Sequence, residues 1–155
     1  MRVIHFNEEY DRIWDEVFAR LDFHPSPYPG VIPFELHQPH RVYALPEFVW
    51  DEAQEALVGQ LLAAAVHEEI YALDYNHPAY AYVPGEPRST TDSGKDFPSY
   101  YPNGDYYFFV AKDLSYGILG HPWQQKMYVF GSRLLHLFDG HEAMLGMTEI
   151  SKEAK

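Results

Sequence analysis

Residues 100–111 read Tyr100-Tyr101-Pro102-Asn103-Gly104-Asp105-Tyr106-Tyr107-Phe108-Phe109-Val110-Ala111, and the organisation of the chain follows from that stretch. Asn103-Gly104 is a turn pair, because both residue types tolerate the positive φ that tight turns require. The aromatic run behind it is rich in strand formers and predicts a strand over 106–111. Alternation puts Tyr106, Phe108 and Val110 on one face and Tyr107, Phe109 and Ala111 on the other. With apolar rows on both faces, one reading is a sheet covered on both sides. The other is a Tyr-rich recognition surface with Trp123 as its anchor.

Working outward, strands are predicted over 116–119 and 126–130, with a last helix over 132–138 capped by Ser132. Upstream, 70–75 and 79–83 alternate like a hairpin around the turn Asn76-His77-Pro78. A helix opened by Pro46 and Glu47 runs to about His67, and another follows the N-cap Asn7 with Tyr10, Ile13, Trp14, Val17, Phe18 and Leu21 on one stripe. Six prolines between Pro25 and Pro46 permit only short extended pieces, over 33–36 and 41–45. Pro84 to Pro102 reads as a polar loop. This order lacks a βαβ alternation and predicts an α+β fold: an antiparallel sheet of about five strands with helices packed mainly on one face. At 155 residues the chain is read as a single domain, 1–155, with its core at about 8–138 and a C-terminal tail over 139–155.

The 23 acidic residues outnumber 11 Lys and Arg, for a formal net charge of −12. That balance argues against nucleic acid, whose phosphates are held by clustered Lys and Arg. The excess is uneven: residues 1–70 hold 13 acids and four bases, residues 71–155 hold 10 and seven. Such a field either keeps a surface soluble or steers in a basic protein partner. Cysteine is absent, apolar runs are too short for a membrane span, and no secretory h-region is visible, so cytoplasmic residence is expected.

His121 is the catalytic candidate. Set in the turn Gly120-His121-Pro122, it could be held against Asp105 or Asp113, and such a carboxylate would raise its basicity. Asp74 is a third candidate partner. The bland alternative is a structural histidine bonding turn backbone. Gly117 and Gly120 read as turn or bulge positions with positive φ. Neither His37-x-x-His40 nor His136-x-x-x-x-His141 matches a zinc-hydrolase spacing, and no glycine-rich phosphate loop occurs, so no metal and no cofactor is expected.

Trp14-Asp15 with Phe18, Tyr71-Ala72-Leu73-Asp74, Pro102 through Phe109, Gly117, Gly120-His121-Pro122-Trp123 and Val129-Phe130-Gly131 together resemble the bacterial domain-of-unknown-function family numbered 2716. The resemblance runs from about residue 8 to residue 138 and implies no activity or catalytic residues.

Two functional readings stand side by side. The first is a small acidic, non-enzymatic binding module, such as a toxin-immunity factor, with Tyr106, Tyr107 and Trp123 as anchors and Glu52 and Glu55 as steering charges. The second is a small hydrolase-like enzyme using His121 with Asp105, Asp113 or Asp74 in a cleft beside the 84–102 loop. Oligomeric state is open in both.

Overall fold

The computed structural model describes residues 1–26, 28, 31–65, 67–86 and 97–150. Its elements are β1 (Arg2–Ile4), α1 (Glu8–Arg20), β2 (His40–Ala44), α2 (Glu52–Ala65), β3 (Ile70–Asp74), β4 (Ala79–Tyr82), β5 (Tyr107–Val110), β6 (Gly117–His121), β7 (Lys126–Phe130), α3 (Ser132–Phe138), α4 (Glu142–Leu145) and β8 (Thr148–Glu149). The strands form one sheet in the order β1-β4-β3-β5-β6-β7-β2-β8. Every pairing between neighbouring strands in that order is antiparallel.

The sheet therefore has eight strands, not about five. The five read from alternation form its centre. The additions are β1 and β8 at its two edges, and β2, which takes up the short extended piece read over 41–45. At three and two residues, β1 and β8 are too short for a period of two to register. The 33–36 segment is not a strand. The stretch after Phe138, read as a tail, supplies α4, β8 and a fully buried Leu145 as far as residue 150. Most of the 84–102 loop, residues 87–96, lies outside the described residues. None of the described helices is long and apolar enough to cross a membrane.

Alternation sorts the sheet into two apolar layers. Ala72, Tyr80, Phe109, Ile118 and Val129 share one cluster with Val58 and Leu62 of α2, Leu134 and Phe138 of α3, and Leu145 of α4. Leu73, Ala81, Phe108, Leu119 and Phe130 share the other with Ile13, Trp14 and Val17 of α1, and with Phe23 and Phe34 from the segment behind it. Burying each large apolar side chain is worth about 1.5–3 kcal/mol, so both layers hold the sheet. α1 starts where expected: Asn7 accepts a hydrogen bond from Tyr10 N at 3.0 Å, with Glu8 and Glu9 at the positive end of the helix dipole. α3 is capped differently. Gly131, not Ser132, precedes it at φ 96°, and a Cβ there would lie 2.5 Å from Tyr116 Cβ.

Candidate functional site

Strand register gathers Asp74, Tyr107 and His121 at one end of the sheet. Asp74 pairs with Tyr107, Tyr107 with Gly120, and His121 with Lys126, which in turn pairs with Ala44. The pleat then divides them. His121 follows Leu119 on the α1 face, whereas Asp74 follows Ala72 on the α2 face.

His121 is 0% exposed, and neither ring nitrogen has a hydrogen-bond partner among the described residues. Its ring lies 4.9 Å from that of Tyr106 and 6.2 Å from that of Trp123. Burial, with Lys126 adding a like charge, pushes its pKa down to about 4. A carboxylate was expected to raise it, and among the described residues none reaches it. The Asp105 carboxylate accepts from Tyr106 N at 2.8 Å. Asp113 sits in the turn beyond β5, at the other end of the sheet, where Ser115 donates to it from Oγ at 2.6 Å and from N at 3.1 Å. Those bonds hold its pKa below the ordinary carboxylate value. His121 is a buried core side chain, with the rings of Tyr106 and Trp123 against it.

On the opposite face a cleft of about 690 Å³ is lined by Asp74, His77, Asn103, Asp105 and Tyr107, with Tyr80 and Phe97 also in its wall. Two of the three carboxylates expected beside His121 thus meet a different histidine. The β3–β4 turn, with Asn76 at φ 68° and His77 N donating to Asp74 O at 2.9 Å, folds the imidazole back over the strand end. His77 Nδ1 stands 3.0 Å from both Asp74 Oδ1 and the Tyr75 carbonyl. Burial draws the His77 pKa down, but the charge and hydrogen bond of Asp74, the Tyr75 carbonyl and the charge of Asp105 outweigh it, and the net direction is up. The Tyr107 phenol is pushed up as well, by burial first and then by the same two carboxylates. One donor atom each from Asp74, His77 and Asp105 lies within 4.8 Å of the other two. The sequence signal for His77 is the Asp-x-x-His spacing across a turn, which reads first as turn chemistry.

The residues expected to bind a partner divide in the same way. Tyr106 is fully buried, and its hydroxyl donates to Ser26 O at 3.2 Å and accepts from Ser26 N at 3.1 Å. It is core and offers no surface. Tyr107 is half-buried, its hydroxyl donating to Asn103 O at 2.8 Å. Glu55 is structural: its carboxylate accepts from Tyr100 N at 2.8 Å and Tyr101 N at 2.9 Å. Glu52 is exposed in the first turn of α2. Trp123 is 49% exposed at the β6–β7 turn.

Exposed apolar side chains that sequence reading missed flank Trp123. Gln124 Nε2 approaches the carbonyls of Tyr28 at 3.5 Å and Val31 at 3.4 Å, which brings the turn beside exposed Tyr28 and Ile32. On its other side Gln125 Nε2 donates to Glu47 O at 3.3 Å, beside Phe48 (78% exposed) and Val49. Trp50 Nε1 donates to Leu145 O at 2.7 Å and Gln54 Nε2 to Met144 O at 2.9 Å, which ties exposed Met144 to the same corner.

A family model described as a protein of unknown function, DUF2716, matches residues 6–135. The chain is 31% identical over 149 residues to the uncharacterized protein YxiI of Bacillus subtilis (strain 168), covering 87% of this chain and 90% of that protein. No solved structure matches. With the match spanning both layers of the sheet and the end where these residues meet, the chain belongs to the DUF2716 family.

Proposed function

We propose that the chain is a protein-binding module that docks a basic protein partner across the β6–β7 turn and the loop before α2. A toxin covered by an immunity factor is one instance of such a pair. The observation that carries this reading is the row of exposed apolar side chains at one sheet end, Tyr28, Ile32, Trp123, Phe48, Val49 and Met144. Folding has left large side chains in water there while filling two cores elsewhere, and contiguous exposed apolar patches with a polar rim are typical of binding surfaces. Trp123 is the natural anchor, being large, with few torsions to freeze. The rim selects charge: Glu47, Asp51 and Glu52 are exposed beside Phe48 and Val49, in a chain of net charge −12. A basic face is steered toward such a rim and an acidic one is repelled.

The test is site-specific photocrosslinking in the native host, with benzoylphenylalanine at position 48, 123 or 112. Lys112 is exposed just beyond β5, at the far end of the sheet. The reading requires one basic protein crosslinked from both 48 and 123, absent from 112 and weakened by Glu52→Lys. No adduct at 48 and 123, or the same adducts at 112, contradicts it.

A further inference from the structure

Beyond partner docking, we propose that Asp74, His77 and Asp105 form a binding site for a divalent transition-metal cation. The three side chains come from the end of β3, the β3–β4 turn and the segment before β5, so local spacing joins Asp74 to His77 but not Asp105 to either. The fold nevertheless brings a donor atom of each within 4.8 Å of the other two. Donors bound about 2.1 Å from one ion stand no more than about 4.2 Å apart, so small rotations close the set. The freedom for those rotations is present, because His77 is exposed and Asp105 half-exposed, while Asp74, 9% exposed, fixes the floor.

The imidazole already stands beside a co-ligand: His77 Nδ1 lies 3.0 Å from Asp74 Oδ1, and a cation bound between them would displace the Nδ1 proton that otherwise bonds Asp74 and the Tyr75 carbonyl. One imidazole nitrogen with two carboxylate oxygens suits zinc or manganese better than a soft or an all-oxygen ion. Three protein donors in an open cleft leave the remaining positions to water or a further ligand, unlike a closed structural site.

The experiment is calorimetric titration of chelator-treated protein with zinc chloride, for the natural sequence and for Asp74→Asn, His77→Ala and Asp105→Asn. His40→Ala and His136→Ala serve as controls for adventitious binding by the other histidines. The proposal requires one zinc ion per chain, with each cleft substitution weakening it roughly tenfold or more and the controls leaving it unchanged. Should Asp74→Asn disturb the fold, the two exposed positions still decide the matter. Absence of binding, equal binding by the cleft variants, or loss in the controls instead would overturn it.

Discussion

Two histidines stand at the same end of the sheet and have opposite surroundings. His121, on the α1 face, is enclosed by Tyr106 and Trp123 and titrates low, at about 4. His77, on the α2 face, leans on Asp74 in an open cleft and titrates high. One step of the pleat separates Asp74 from the His121 side, and that step reverses the effect of the fold on the ring. The site on this molecule is decided by strand parity and not by how conspicuous a histidine looks in sequence.

The most damaging way to break the contrast is to open the dry side. Tyr106→Ala removes the ring against His121, Trp123 and Phe23, together with both bonds to Ser26, and should cost about 3–5 kcal/mol in denaturant unfolding. A loss under about 1 kcal/mol would mean that the aromatic enclosure is loose.

Acid is the next lever. The native state resists protonating His121 down to about 4, whereas the unfolded chain takes up that proton near the ordinary histidine value of 6.5. Stability from this residue is therefore full above about 6.5 and falls as pH drops toward 4, by about 3 kcal/mol in all. His121→Leu should remove that slope from pH-dependent unfolding, and an unchanged slope would place the acid sensitivity elsewhere. His77 has the opposite sign. Its raised pKa contributes stability that is present below 6.5 and lost as pH rises through the folded value. Its exposure makes the effect small, and His77→Ala should change stability at neutral pH by no more than about 0.5 kcal/mol. A larger loss would make the Asp74–His77 bond a structural latch.

The central strands were legible because 70–83 and 106–130 alternate in long enough runs for the period to be counted, and α1 was legible from its stripe and its Asn7 cap. The sheet's outer strands were not, because β1 and β8 are defined by their partners and not by their own pattern. Glycine was only half readable. Gly117 has the expected positive φ, at 157°, with Phe109 O 2.5 Å from where a Cβ would be. Gly120 has no such φ, and its constraint is Pro102, 2.7 Å away. At the site, Asp74, Asp105 and Trp123 are in view, but the sequence offers His121 as the catalytic candidate, because Gly120 and Pro122 set it in a turn within reach of a carboxylate, against the alternative of a structural histidine. Its depth follows from the aromatic packing around β6 and the Ser26–Tyr106 closure, a contact across 80 positions that no local pattern carries.

The most direct measurement is a pH titration of the imidazole nitrogens of His77 and His121 by long-range proton–nitrogen spectra on labelled, chelator-treated protein. The account predicts that His77 titrates above 6.5 with its proton on Nδ1 in the neutral ring, and that His121 stays neutral until about pH 4. A His121 that titrates at or above 6.5, or a His77 that titrates below it, would contradict the division of the two faces.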